Sequence, residues 1–220
     1  MRDESIVNYK GEIVKSTFNG CVTEFVGIFC LSFFITIFTL GLGTPWVVCM
    51  HNRWHINHKV IDGKQIVFDG RGIGLFFCYL WWFFLFIITL GIYGFWIRVR
   101  YHEWVIKHTH IVRDEYDIER PGESIFSGGA TEHIGIAFFA LLLTIFTLGF
   151  AMPWIICMFT RWRIDNTEID GRATYFDGSG WGLFFRYCWW FFLMIITLGV
   201  YGFWIPLKKE KWFTKHTHLI

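Results

Sequence analysis

Charge is what this sequence has least of. Only 17% of its 220 residues are Asp, Glu, Lys or Arg, and the formal net charge is +2. That balance excludes the basic footprint of a nucleic-acid binder. With 54% hydrophobic residues there is also little polar material to clothe the exterior of a globule. Cysteine shows no paired pattern: there are six, none in a CxxC pair, and only Cys49 and Cys157 match between the two halves of the chain. A disulfide frame would have been copied with the repeats described below, so free thiols are expected. Catalytic signatures are missing too. There is no Gly-x-Ser-x-Gly, no His-Glu-x-x-His, no P-loop and no paired carboxylates within the apolar runs, so enzyme activity is not expected. No cofactor is implied either. His51, His55 and His58 stand at helical spacing and His108-Thr109-His110 is echoed by His216-Thr217-His218, but no Cys or carboxylate cluster completes a ligand set, so no metal is expected. No segment reads as a cleaved leader: the first apolar run starts near Phe25 behind a mixed-charge segment, and is expected to stay.

What is present is one module written four times. Phe18, Phe68, Phe126 and Phe176 each open a unit that becomes apolar and reaches Thr-Leu-Gly at Thr39, Thr89, Thr147 and Thr197. Each unit then places Trp46, Trp96, Trp154 or Trp204, and a second Trp eight residues later at Trp54, Trp104, Trp162 or Trp212. Successive units are offset by 50, 58 and 50 residues, so two units nest in each half of the chain. The halves divide at a polar, glycine-containing linker with Pro121, giving repeats at 1–117 and 118–220.

Phe25 to Met50, Ile73 to Ile97, Ile134 to Thr160 and Tyr187 to Leu207 contain no charged residue, and each is as long as the roughly 20 residues that cross a bilayer. The pattern therefore predicts an all-α integral membrane protein with four transmembrane helices in two helix-hairpin-helix repeats. Basic residues favour the tails and the central linker, which predicts a multi-pass protein with both termini cytoplasmic. Gly41, Gly43 and Pro45, with Gly149 and Pro153 in the second half, predict helix breaks, each followed by a short interfacial helix. Units two and four carry Phe95 and Phe203 in place of that proline, so there the helix is expected to run on. The eight-residue Trp spacing puts both rings on one helix face, and all eight Trp are read as interfacial anchors. Asp62-Gly63 and Asp170-Gly171, between weakly alternating flanks, predict two small β-hairpin loops.

Phe18, Gly20, Glu24, Gly27, Thr39-Leu40-Gly41, Pro45-Trp46, Arg53-Trp54, Ile61-Asp62-Gly63, Phe68-Asp69-Gly70, Thr89-Leu90-Gly91 and Trp96 resemble the bacterial YjgN family of inner-membrane proteins. The resemblance runs from about Phe18 to Thr217. It implies a multispanning protein of the bacterial inner membrane, and no general activity. Cys49 and His51 stand where that family usually has Arg or Lys.

Matched acids open two of the runs, Glu24 and Glu132, and hydroxyls at Thr36, Thr39, Thr144 and Thr147 lie within them. Capping and back-bonding to helix carbonyls are the plain reading of these groups. The sharper reading makes them the mouth and lining of a pore. Since four short helices rarely enclose water alone, that pore is a homo-oligomeric channel, cation-preferring and gated by a cytosolic ligand or protein. Depolarisation of the membrane in stress or phage defence is the setting such a module suits. A monomeric small-solute transporter with inverted repeats and a non-conducting scaffold are the alternatives. The expected partners are the lipid bilayer and further copies of the chain.

Overall fold

The computed structural model describes residues 15–112 and 122–220. The amino-terminal tail and the boundary between 117 and 118 lie outside them. The first half runs β1 (Thr17–Phe18), α1 (Val22–Phe38), α2 (Thr44–Asn57), β2 (Lys59–Ile61), β3 (Lys64–Phe68), α3 (Gly72–Ile88), α4 (Gly94–Lys107) and β4 (Thr109–Ile111). The second half repeats it as β5 (Ile125–Phe126), α5 (Ala130–Phe146), α6 (Met152–Asp165), β6 (Thr167–Ile169), β7 (Arg172–Phe176), α7 (Gly180–Ile196), α8 (Ile205–Lys215) and β8 (Thr217–Leu219). Each half is a four-stranded antiparallel sheet in sequential order, from which two helical hairpins emerge. Asp62-Gly63 and Asp170-Gly171 form the expected two-residue turns, all four residues at positive φ, between β2 and β3 and between β6 and β7. Because those turns close one end of each sheet, both helical hairpins of a half leave from the other end.

This overturns the four-span, all-α membrane architecture. The apolar helices α1, α3, α5 and α7 have 17 residues each, about 25 Å at 1.5 Å per residue. No helix among the described residues is long and apolar enough to cross a membrane. The uncharged runs misled because each one turns around: Phe25 to Met50 holds most of α1, a reversal, and the first half of α2. The multi-pass inner-membrane placement, its topology, and the channel and transporter readings fall with the spans.

The reversal occurs in all four units, with or without proline. Gly41 N–H reaches the Thr36 carbonyl at 2.8 Å and Leu40 N–H reaches Ile37 at 3.1 Å, a Schellman closure of α1. Gly91, Gly149 and Gly199 close α3, α5 and α7 in the same way. The Thr-Leu-Gly hydroxyl staples the turn: Thr39 Oγ1 donates to the Ile35 carbonyl at 2.7 Å and accepts the Gly43 N–H at 2.8 Å. Thr89, Thr147 and Thr197 make the equivalent pairs of bonds. The expectation that units two and four run on unbroken is therefore wrong, because Thr-Leu-Gly rather than proline ends the helix.

At the sheet end, the Phe that opens each unit packs edge-on against that unit's second Trp. The ring centroids are 5.6 Å apart for Phe18 and Trp54, 5.9 Å for Phe68 and Trp104, 5.5 Å for Phe126 and Trp162, and 5.9 Å for Phe176 and Trp212. Glycine two residues after each Phe is required by that ring: a Cβ on Gly70 would stand 2.2 Å from Phe68 Cζ. The halves then clasp each other reciprocally. The buried Asp62 carboxylate accepts the Leu219 N–H at 2.7 Å, and Asp170 accepts the Ile111 N–H at 2.8 Å. His218 and His110 lie 3.2 and 3.0 Å from the same two acids. Ile61, Ile66, Ile111 and Ile169 fill the space between the halves.

Candidate functional site

Two regions of this frame have chemistry not consumed by folding: the tips of the helical hairpins, and a cavity between the returning helices. At the tips Leu40, Leu90, Leu148 and Leu198 hold φ of 50 or 51°, a left-handed conformation that costs a residue with a Cβ roughly 1 kcal/mol or more. These four leucines are 90–93% exposed. Phe38, Leu42, Phe146 and Phe150 flank them, also exposed. The first charged residue after each tip is a cation, namely Arg53, Arg98, Arg161 and Lys208.

The residues expected to line a pore are engaged elsewhere. Thr36 and Thr144 hydroxyls donate to the carbonyls of Ser32 and Ala140 at 2.8 and 2.7 Å, and Thr39 and Thr147 staple their turns. Glu24 and Glu132 sit at the sheet ends of α1 and α5, accepting the indole N–H of Trp54 at 3.0 Å and of Trp162 at 3.1 Å. The Trp54 bond holds the Glu24 carboxyl below its ordinary range. Of the eight Trp, the second of each unit is core: Trp54, Trp162 and Trp212 are buried and Trp104 half-buried. Trp46, Trp96 and Trp204, near the tips, are exposed, and Trp154 is half-buried. Gly41 and Gly149 shape the reversals, and Pro45 and Pro153 stand in the first turns of α2 and α6. Gly43 caps α2, too close to Thr39 Oγ1 to carry a side chain. Among the described residues no group of three His, Cys, Asp or Glu is placed to hold a metal. Burial pushes the Cys49 and Cys157 thiols up to about 11, which keeps them protonated.

The returning helices α2, α4, α6 and α8, with residues of the strands, line a partly open cavity of about 270 Å³. Each unit contributes the same positions to it. Two residues before the second Trp stand Asn52, His102, Thr160 and Glu210, of which Thr160 lines only an adjoining pocket. One residue after it stand His55, Val105, Arg163 and Phe213. Lys59 Nζ pairs with Glu210 at 3.0 Å. Burial pushes the Glu210 carboxyl up, but Lys59, His55 and Arg163 outweigh it and hold it at about 2. Burial drives His55 down to about 4 against the opposing pull of Glu210, and drives His102 to about 3 with Arg163 and Arg98 assisting, so both rings are neutral at pH 7. Asn52 Nδ2 donates to the Tyr101 hydroxyl at 2.8 Å, and that hydroxyl donates back to Asn52 Oδ1 at 3.1 Å. The Arg163 guanidinium makes no hydrogen bond or ion pair with the described residues; the residue is exposed to solvent and also lines the cavity, and the protein around it lowers its pKa by desolvation.

Reading the chain as a sequence missed this constellation, although a signal was there. Aligning the four units on their second Trp shows two positions, facing one way, where an otherwise repeating frame carries Asn, His, Thr, Glu and His, Val, Arg, Phe. No protein-family model, curated protein or solved structure matches the chain, so its site is described from its own residues alone.

Proposed function

We propose that this protein works at a lipid surface, sinking the tips of its four helical hairpins into one leaflet while none of them crosses it. The observation that carries the reading is the set of four nearly fully exposed leucines, each held in a strained conformation at the turn of a run without a charged residue. Water gives no return on that strain, whereas hydrocarbon stabilises each buried leucine by about 1.5 to 3 kcal/mol. Depth supports the same reading. From the start of α2 to Arg53 is nine residues and from the start of α4 to Arg98 is four, which puts the first cations about 6 to 14 Å from the tips. Half of a hydrocarbon core is about 15 Å. The four first charges are all basic, so the collar around the tips suits anionic headgroups. The half-exposed indoles of Trp46, Trp96 and Trp204 lie where amphipathic rings prefer to be.

Vesicle flotation of the full chain tests this. The protein is expected to float with phosphatidylglycerol-rich vesicles, less with phosphatidylcholine alone, and to lose flotation when Leu40, Leu90, Leu148 and Leu198 are all changed to Glu. A wild-type protein that stays at the bottom of the gradient, its tips shielded in an assembly of copies, overturns the reading. Leu40→Cys, in a chain whose six native cysteines are changed to Ser, overturns it too if it reacts with an impermeant thiol reagent placed only on the far side of sealed vesicles.

A further inference from the structure

We infer that the cavity lined by α2, α4, α6 and α8 is a binding site for a small oxyanion, a phosphate or carboxylate compound, held by Arg163 and Lys59. The inference is independent of what the tips touch. Two permanent cations line the cavity, Lys59 and Arg163, against one acid, Glu210. Lys59 is committed to that acid at 3.0 Å, whereas the planar fork of Arg163 has no partner among the described residues and suits two oxygens of one anionic group. Arg98 and Lys209 line an adjoining pocket that shares Arg163, His102 and Glu210, adding positive potential.

Unsatisfied polar atoms point the same way. Thr214 lines the cavity, is only 2% exposed, and its hydroxyl has no hydrogen-bond partner. His55 Nδ1 is likewise buried without one, lying 3.9 Å from Glu210. Buried polar groups are normally paired, and orphans that face one cavity mark where a ligand completes the set. Thr214 can donate to an oxyanion, and neutral His55 can donate through whichever nitrogen carries its proton. The size suits only a small molecule, since 270 Å³ is just under the roughly 300 Å³ at which the usual range of ligand pockets begins. Ile61, Ile66 and Ile169, with Ile56, Val105, Ile164 and other apolar residues, make much of the wall apolar, which strengthens charge pairing inside.

The experiment is calorimetric titration of the purified full chain with inorganic phosphate and, separately, malonate. Binding is expected, with Arg163→Met lowering affinity roughly tenfold or more through loss of a charged donor. Thr214→Val is expected to weaken it several-fold while leaving the melting temperature of the empty protein unchanged or higher. Glu210→Gln is expected to tighten it, because the competing carboxylate is gone and Lys59 is released. Opposite signs in Arg163→Met and Glu210→Gln cannot come from a general folding defect. No heat with either anion, equal weakening in both variants, or magnesium binding in place of the anions overturns the inference.

Discussion

The two ends of each helical hairpin differ in how they use the same repeat. At the tip the four units agree residue for residue in Thr-Leu-Gly, and each forms the same stapled reversal with an exposed leucine. At the sheet end the Phe–Trp pairing is kept, but the positions facing the cavity differ in every unit. A surface that is uniform four times over suits a uniform medium. A cavity whose four sides carry different groups suits one particular polar object. The physics separates too: the tip is held by local hydrogen bonds within one hairpin, whereas the base is held by contacts between distant parts of the chain.

The largest expected effect attacks that long-range hold. Asp62→Ala leaves the Leu219 N–H without its acceptor, and Asp170→Ala does the same to Ile111. Each is expected to cost about 2 to 3 kcal/mol in urea denaturation, since a charge-assisted bond is lost and a buried donor is orphaned. Tip variants should cost far less, and equal losses at both ends would erase the contrast.

Acid should also act on the base alone. The ordinary histidine value is 6.5, and the folded protein holds His55 at about 4 and His102 at about 3. As pH falls below 6.5 the unfolded chain takes up protons that the folded one refuses, so stability is lost progressively from about 6.5 downward. Glu210 stays ionised in both states until near 4.5, so the first part of the slope belongs to the histidines. The groups facing them are Glu210, Lys59, His51 and Lys209 at His55, and Arg163, Arg98 and His133 at His102. Changing both to Gln should reduce the loss of stability between neutrality and pH 4.5 without abolishing it, because burial holds His51 and His133 low as well; an unchanged slope removes the assignment.

The smallest and most diagnostic effect is at a tip. Leu40→Gly relieves the left-handed strain at a cost in unfolded-state entropy, and the balance is expected to leave stability within about 1 kcal/mol of the wild type, on the higher side. Vesicle binding should weaken at the same time. Weaker binding with undiminished stability marks a residue kept for contact rather than for folding, and unchanged binding would end that argument.

Much of the local structure is legible in the sequence. The Asp-Gly turns formed where alternating flanks placed them, and the short helix that begins around Pro45 runs from Thr44 to Asn57. Periodicity and turn chemistry act over a few residues, so they can be read along the chain. The spans were misread because hydropathy counts apolar residues and is blind to direction. Thr39, Leu40 and Gly41 reverse the chain inside the run, at the point where a Leu takes on φ of 50°.

Composition and repetition thus determined, from the sequence alone, that one apolar module recurs four times, that the first and third copies break near Gly41–Pro45 and Gly149–Pro153, and that every copy carries an opening Phe and two Trp eight residues apart. Only the tertiary structure decided that one apolar run is two antiparallel helix segments, that Asp62 and Asp170 lock the halves together, and that Lys59, Arg163 and Glu210 share a cavity. The reason is distance along the chain: Asp62 meets Leu219 across 157 residues, and no local preference encodes which distant partner will be waiting when the sheets close.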